Sequence, residues 1–266
     1  MIRVPDCSLL PPTQAELDAW QAEVNQHAQP FGDHVAAAER EFDRRRAQKG
    51  FEPALALLRA MCSGVVRCMY CQDSGGVDVE HYRPKAWYPE LVFGWANFLL
   101  ICTRCNRKKS NRFPLFHPKP DVVRELLHRK GTPRQQPPQA DAVLLNPRLD
   151  DPQAYLALDL LGTFRFVPSA TPGSVPHLRA AHTLDKLDLN DDALQRVRRN
   201  AYENFLSHLR IAGQACATGD GAELARVRGA IVEMPCAVVW REMQRMHAVI
   251  PTLGRAFAAV PGALHW

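Results

Sequence analysis

Four of the eight cysteines in the chain form two closely spaced pairs. The pairs are Cys68 with Cys71 and Cys102 with Cys105, each with the spacing Cys-x-x-Cys. Because structural zinc is held in a tetrahedron of thiolate or imidazole ligands, two such pairs can close around one ion. A single pair could act in redox chemistry, but that interpretation leaves the other pair without a role. The spacing therefore predicts a structural zinc site made of all four thiolates.

A polar run, Val77-Asp-Val-Glu-His-Tyr-Arg-Pro-Lys85, lies between the two cysteine pairs. The alternation of valine with Asp78 and Glu80 predicts a strand that carries both carboxylates on one face. Glu80 offers an oxygen ligand for Mg²⁺, and a neutral His81 can take a proton from water. For an isolated Glu-His pair the alternative is a solvated or capping histidine. The residues around the second cysteine pair decide between the two interpretations.

Polar residues also come directly after the second cysteine pair. A strand over Phe98 to Ile101 and a helix from about Thr103 would complete a β-β-α unit. Asn106 and Lys109, three residues apart, would share one face of that helix. Asn106 offers a carbonyl oxygen to the metal predicted at Glu80, and Lys109 a positive charge for a phosphate in the transition state. This context favours the catalytic interpretation of the Glu-His pair.

Asn97 stands immediately before the second predicted strand. We expect its side-chain amide to tie down the loop after His81 through hydrogen bonds to the backbone. The alternative is an ordinary turn amide, which asparagine supplies in many loops.

Helical patterns flank the cysteine-rich segment on both sides. Before it, helices are predicted from a capping box at Thr13–Glu16 to about Gln26, from Asp33 to about Arg46, and from about Pro53 to Met61. After it, a hairpin over Tyr155–Leu160 and Thr163–Val167 precedes helices from about Val175, with a strong helix start at Leu189–Asp192. We therefore predict a mainly α fold with a small central β element, divided into residues 1–64, 65–120 and 121–266.

The second predicted helix has two distinct parts. Val35, Ala38 and Phe42 are spaced to form one buried face. The basic end, Asp43–Arg46, is expected to be a solvated surface that complements the helix dipole.

The net charge of +5 is concentrated in one segment of the chain. Residues 67–112 contain eight basic and four acidic side chains, which gives this segment a net charge of +4. A local excess of this kind favours a polyanionic partner, although solvated lysines would produce the same pattern. No apolar run reaches the roughly 18 residues of a membrane span, and the first residues lack a secretory signal pattern. We therefore expect a cytoplasmic protein with reduced thiols.

Taken together, these motifs resemble the zinc-braced HNH, or ββα-metal, endonucleases. The shared order is Cys-x-x-Cys, Glu-His-x-x-Pro, Asn, and Cys-x-x-Cys-Asn-x-x-Lys, and the step from Asn97 to Asn106 is similar to that of RNA-guided DNA nucleases. Within this superfamily, the chain is most similar to HNH nucleases of Septu-type and retron-associated anti-phage systems. The segments that carry this likeness are Cys68–Cys71, Glu80–Lys85, Trp95–Phe98 and Phe113–Pro114. The resemblance implies a ββα-metal (HNH) element, braced by zinc, at residues 65–120.

The resemblance also implies roles for individual positions. His81 matches the general base, and Asn97 matches the asparagine that holds the loop. Glu80 and Asn106 match the metal ligands, with Glu80 standing where most HNH sites have Asp, so the metal geometry must shift slightly. Asp78 is either an auxiliary ligand or a structural carboxylate. Candidate phosphate contacts, with simple solvated charge as the alternative, are Arg83, Lys85, Arg104 and Arg107.

The implied function is hydrolysis of DNA phosphodiester bonds, with structural Zn²⁺ and catalytic Mg²⁺ or Mn²⁺. The implied setting is anti-phage defence with an ATPase partner of the ABC/SMC-like kind, since the chain itself contains no Gly-x-x-x-x-Gly-Lys-Ser/Thr sequence. Three alternatives remain: the same site acting on RNA such as tRNA, a stand-alone restriction-like nuclease, and a zinc-ribbon module that binds nucleic acid without cutting it. The last of these gives no role to Glu80, His81 or Asn106.

Overall fold

The fold is mainly helical, as predicted, and the residues that the structure describes also form three small antiparallel sheets. The computed structural model describes residues 1–62, 65–129 and 131–266. In these ranges the helices are α1 Pro11–Asn25, α2 Phe31–Arg45, α3 Glu52–Ala60, α4 Thr103–Lys109, α5 Pro152–Tyr155, α6 Val175–Lys186, α7 Asp192–Thr218, α8 Gly221–Glu233, α9 Ala237–Met246 and α10 Pro251–Ala258. The strands are β1 Asp78–His81, β2 Phe98–Ile101, β3 Pro114–Phe116, β4 Val123–Glu125, β5 Leu156–Leu158 and β6 Phe166–Pro168.

Helix α1 begins two residues before the predicted capping box. Leu10 occupies the N-cap position, and Pro11 and Pro12 open the helix. Proline is well suited to the first turn because its missing N–H would have no helical partner there. The predicted start at Thr13 is therefore wrong, because proline rather than a polar side chain sets it.

The predicted β-β-α order is present around the second cysteine pair. Strands β1 and β2 pair antiparallel, with Glu80 opposite Leu99 and His81 opposite Phe98. All four residues of β2 are buried. Helix α4 comes directly after β2, with Cys102 as its N-cap residue. The strands thus deliver the Glu-His pair, and α4 delivers the polar residues after the second cysteine pair, to the same part of the molecule.

An aromatic cluster joins the first helices to this unit. Phe42 of α2 lies 6.0 Å from Phe51 and 6.1 Å from Phe98 of β2, between ring centroids. Trp20 of α1 packs against Phe93 at 5.4 Å. Because edge-to-face aromatic packing is both apolar and directional, it fixes α1 and α2 against the loop and strand that carry the polar residues.

The region after the small sheets is a set of packed helices. Asp191 caps α7 by accepting a hydrogen bond from the Ala193 amide at 2.8 Å, which confirms the predicted helix start. The predicted hairpin is present as β5 and β6, with shorter strands than expected. Trp240 of α9 lies between Phe205 of α7 and Phe257 of α10, at 5.4 and 5.5 Å.

One buried apolar cluster draws residues from all three predicted segments, 1–64, 65–120 and 121–266. Residues 63 and 64, at the end of the first segment, lie outside the described residues. Because this cluster is shared, the first helices and the last ones pack on the central β-β-α unit.

Among the helices that the structure describes, none combines the length and apolar character needed to cross a membrane.

Candidate active site and metal centre

The four predicted zinc ligands lie together. The sulfur atoms of Cys68, Cys71, Cys102 and Cys105 are all within 4.8 Å of one another, and all four residues are buried. The Cys71 and Cys102 sulfurs are 3.8 Å apart. Four sulfurs each about 2.3 Å from a tetrahedral zinc ion would be separated by roughly 3.8 Å. The donor set therefore fits a metal ion such as zinc.

Backbone hydrogen bonds position the first cysteine pair. The Cys68 amide donates to the Ser74 carbonyl at 2.8 Å, and the Met69 amide donates to the Leu100 carbonyl of β2 at 2.9 Å. Gln72, with a positive φ of 63°, turns the chain after the pair. Its side-chain oxygen accepts from the Val238 amide at the start of α9, at 3.0 Å. The metal centre is thus braced from both the sheet and the C-terminal helices.

A cleft of about 340 Å³ contains the predicted general base and the two predicted metal ligands. Glu80 and His81 from β1 and Asn106 from α4 all line it. Phe42 and Arg46 from α2 form part of its wall. The β-β-α unit therefore brings three polar side chains from two elements, β1 and α4, into one cleft.

The His81 imidazole is held in one orientation. Its Nε2 atom lies 2.8 Å from the Val92 carbonyl oxygen. Because a carbonyl oxygen can only accept, Nε2 carries the proton and Nδ1 keeps a free lone pair. The rings of Phe42 and Phe98 pack on the imidazole at 4.4 and 5.3 Å. The neutral imidazole is thus oriented with its basic nitrogen away from Val92.

Burial also determines the protonation state of His81. Removal from water lowers the pKa of this imidazole from 6.5 to about 3. The hydrogen bond to Val92 opposes this shift, and the positive charges of Lys85 and Lys109 reinforce it. His81 is therefore neutral at physiological pH, which is the form that a general base needs.

Lys109 is fully buried and does not reach the cleft lining. Its ammonium group forms an ion pair with the Glu80 carboxylate and donates to the His81 carbonyl at 2.9 Å. A contact between Lys109 and a phosphate was predicted from its helical spacing. The structure instead directs its charge inward, to the carboxylate and backbone of the two residues that carry the predicted chemistry.

Asn106 and Asp78 form a second polar contact in the cleft. The Asn106 amide nitrogen donates to the Asp78 carboxylate at 3.1 Å, which leaves the Asn106 carbonyl oxygen as an acceptor. Carboxylate and amide oxygens are ligands that Mg²⁺ and Mn²⁺ prefer. The donor set of Glu80 and Asn106 therefore fits a hard divalent cation, with Asp78 orienting the amide.

Asn97 makes the loop-holding hydrogen bonds that were expected from its position. Its side-chain oxygen accepts from the Arg83 amide at 2.7 Å. Its side-chain nitrogen donates to the carbonyls of Arg83 and Leu91, at 3.0 and 3.1 Å. The amide thereby joins the turn after His81 to the segment that leads to Val92, the hydrogen-bond partner of the imidazole.

The structure separates the four predicted phosphate contacts into two groups. Lys85 and Arg107 line the cleft. Arg83 turns to the other side of the loop and stacks on Tyr88 at 4.8 Å. Arg104 donates to the backbone and carboxylate oxygens of Asp188, at 3.0 and 3.2 Å. Only the first two therefore sit beside the candidate catalytic residues, within the described part of the chain.

Phe42 of α2 and Arg46, the residue directly after this helix, belong to the cleft but were not assigned to it from the sequence. Phe42 was expected to be buried, and its helical spacing gave no sign that it would cover His81. Arg46 is exposed, as expected for the basic end of this helix, and it also lines the cleft. Both come from a segment well before the predicted site in the sequence, so no local pattern could connect them with it.

Among curated proteins, two that are named Septu protein PtuB are similar to this chain. The protein from Bacillus thuringiensis is 41% identical over 65 residues, which cover 21% of this chain and 25% of the relative. The protein from Bacillus mycoides (strain KBAB4) is 30% identical over 135 residues, which cover 44% of this chain and 42% of the relative. No protein-family model matches the chain, and no solved structure matches it. The chain thus spans between a quarter and somewhat over two fifths of the curated relatives that it matches.

Proposed function

We propose that this protein is a metal-dependent HNH endonuclease that hydrolyses phosphodiester bonds of DNA. The observation that carries the proposal is the meeting of Glu80, His81 and Asn106 in one cleft next to a four-thiolate centre. A buried neutral imidazole supports general-base chemistry, and the adjacent oxygen donors support a divalent cation. A zinc-ribbon binding module would need the four thiolates but none of these three side chains.

His81 performs the proton transfer in the proposed reaction. Its Nδ1 atom accepts a proton from a water molecule as the water oxygen forms a bond to phosphorus, and the bond from phosphorus to the 3′ oxygen breaks. The leaving oxygen is protonated from solvent, which gives a 5′-phosphate and a 3′-hydroxyl. A pKa of about 3 makes the imidazole a weak base in the free protein. An anionic phosphate close to His81 would raise that pKa towards the useful range.

The other residues of the cleft position these groups. Glu80 and Asn106 would hold Mg²⁺ or Mn²⁺, which supplies electrostatic stabilisation of the charge that develops on the phosphate oxygens. Lys109 holds the Glu80 carboxylate in place, and Asn97 fixes the turn after His81. Structural zinc at the four thiolates anchors the start of α4, and with it Asn106. Each of these side chains can be replaced by substitution, so each proposed role can be tested separately.

Cleavage assays test the proposal directly. Purified protein is incubated with plasmid DNA and with tRNA, in Mg²⁺, in Mn²⁺ or without added divalent ion. EDTA is added only to the reaction, and zinc content is measured afterwards so that loss of the structural ion is recognised. We expect metal-dependent cleavage of DNA. Cleavage of tRNA alone would change the substrate to RNA, and binding without cleavage under every condition would refute the nuclease proposal.

A substitution separates catalysis by this cleft from contamination. His81→Ala is expected to lower cleavage by about 10²–10⁴-fold, the usual contribution of a general base. His27→Gln, a change of an exposed histidine in the turn after α1, is the matched control and should cleave at the wild-type rate. Cleavage that persists at full rate in His81→Ala would remove the general-base assignment.

We also propose a role in anti-phage defence together with an ATPase partner. The support is the likeness to the two Septu proteins, which covers less than half of either relative. Co-purification of the protein from its native operon tests the partnership. Recovery with an ATPase is expected, whereas a fully active protein recovered alone would favour a stand-alone restriction-like nuclease.

A further inference from the structure

We infer that a basic groove beyond the candidate cleft binds the phosphate backbone of the polynucleotide on one side of the cleavage point. The groove is lined by Arg112, Arg124, Arg129 and Arg134, with Trp87 and His128 between them. Nothing in the motifs around His81 assigns these arginines. The inference rests on the proposed nuclease function, and it names the surface that would hold the substrate.

The groove adjoins the cleft. A first hollow of about 290 Å³ shares Ser110 and Asn111, at the end of α4, with the cleft that contains His81. A second hollow of about 730 Å³ shares Trp87 and His128 with the first. The two hollows and the cleft are therefore neighbours on the surface, so one extended strand could contact all three.

Hydrogen bonds fix the floor and one wall of the groove. Trp87 is buried, and its indole nitrogen donates to the Asn111 carbonyl at 3.1 Å. The Arg134 guanidinium donates to the Ala86 carbonyl at 3.4 Å. The first contact ties the turn that follows Lys85 to the end of α4, and the second ties the segment after β4 to the same turn. The segments that carry the groove arginines are thus joined at this turn.

The charge of this path is strongly positive. Seven arginine and lysine residues line the cleft and the groove: Arg46, Lys85, Arg107, Arg112, Arg124, Arg129 and Arg134. The acids among the described lining residues are Glu80 and Glu125. Glu80 is paired with Lys109, and Glu125 is 2.7 Å from the Lys186 ammonium. Lysines outside the lining therefore pair with both acids, so neither acid offsets the charge of the groove arginines.

This distribution fits a polymer of phosphates better than a single anion. Cations gathered at one point would suit one phosphate, whereas these arginines are spread along connected hollows. Guanidinium groups form paired hydrogen bonds with phosphate oxygens, which suits repeated contacts to a backbone. Contacts of this kind carry affinity and position the strand, without reading base sequence. DNA and RNA share this chemistry, and the experiment distinguishes them.

Binding measurements test the groove separately from catalysis. The protein carries His81→Ala and no divalent metal is added, so hydrolysis does not interfere. Fluorescence anisotropy monitors labelled single-stranded DNA, duplex DNA and RNA of one sequence over a range of salt concentrations. In this background, Arg112→Gln, Arg124→Gln and Arg129→Gln are combined. We expect affinity to fall at least about tenfold. The magnitude of the slope of log K against log salt should decrease by about 2 to 3, because each phosphate contact that is lost reduces the number of counterions released on binding.

A second triple variant is the matched control. Arg196→Gln, Arg210→Gln and Arg228→Gln remove the same charge from exposed positions on α7 and α8. This control should bind within about twofold of the His81→Ala parent, because distant surface charges are screened by salt. An unchanged affinity and slope in the groove variant, or an equal loss in the control, would overturn the inference. A wild-type protein that binds through the groove yet cleaves no nucleic acid would instead refute only the nuclease proposal.

Discussion

Lys109 places a fully buried ammonium group against the Glu80 carboxylate, and the same group donates to the backbone of the next residue, His81. A buried charge is tolerated when it is paired and hydrogen-bonded, and Lys109 satisfies both conditions. The ion pair therefore links α4 to the end of β1. It also determines where the predicted metal-binding carboxylate points.

Removal of Lys109 should be costly. Lys109→Met leaves the Glu80 carboxylate largely buried without its partner, and we expect the free energy of unfolding to fall by about 3–5 kcal/mol. The double variant Glu80→Gln with Lys109→Met should recover part of that loss, since no charge is then left uncompensated. Urea unfolding at a fixed zinc concentration measures both. Lys108→Met, next to it but half exposed beside Asp188, should cost less than about 1 kcal/mol.

The buried His81 should make stability depend on pH. In the unfolded chain its imidazole takes up a proton near pH 6.5, whereas burial keeps it neutral in the folded protein until about pH 3. Protons therefore favour the unfolded chain between these values, and the stability present above pH 6.5 is lost as the pH falls. Between pH 7.5 and pH 5 this loss should be about 2 kcal/mol.

Comparison with His81→Gln isolates that contribution from acid effects elsewhere, including the thiolates. The variant should lose less stability than the wild-type protein between pH 7.5 and pH 5, measured by urea unfolding at each pH. His27→Gln should reproduce the wild-type curve. Parallel curves for wild-type protein and His81→Gln would mean that the imidazole is not held in its neutral form by burial.

The four thiolates should bind one zinc ion per chain and couple that ion to folding. Cys102→Ser removes a thiolate ligand but keeps a side chain that can cap α4, so zinc content should fall and the melting temperature should drop by at least about 5 °C. Cys216→Ser changes an exposed thiol and should leave both unchanged. Metal analysis and thermal unfolding provide the measurements. A wild-type protein without zinc that melts like Cys102→Ser would contradict the metal-centre assignment.

Asn97 should affect the rate of cleavage without affecting zinc. Asn97→Ala removes the hydrogen bonds that join the turn after His81 to the segment before Val92. A displacement of the imidazole by about 1 Å would lower kcat by about 10²-fold. Asn204→Ala, at an exposed position on α7, should keep the wild-type kcat. If both variants cleave normally, Asn97 is only a turn amide.

The parts of the site that the sequence predicted are those set by short spacings. Two Cys-x-x-Cys pairs and an alternating strand can be recognised locally, and the cysteines, β1 and α4 lie where these patterns placed them. The spacing of Asn106 and Lys109 also predicted that both residues lie on the same side of α4. The direction in which Lys109 points was not, because packing against β1 decides it.

Contacts between distant segments account for what the sequence did not predict. Arg104 looked like a phosphate contact, but Asp188, from the turn before α7, takes its hydrogen bonds. Arg46 is exposed, as predicted for a solvated helix end, but its place in the lining of the cleft follows from how α2 packs. Such pairings join positions tens of residues apart, and periodicity within one segment carries no information about them.

The Phe42 ring has a consequence for any attempt to transplant the β-β-α unit. This ring comes from α2, outside residues 65–120, and it covers one face of the His81 imidazole. A fragment limited to the β-β-α unit and its thiolates would expose more of that imidazole to water and raise its pKa towards that of a free histidine. A portable version of this unit would therefore have to carry its N-terminal helices, or an artificial scaffold would have to supply an aromatic side chain in the same place.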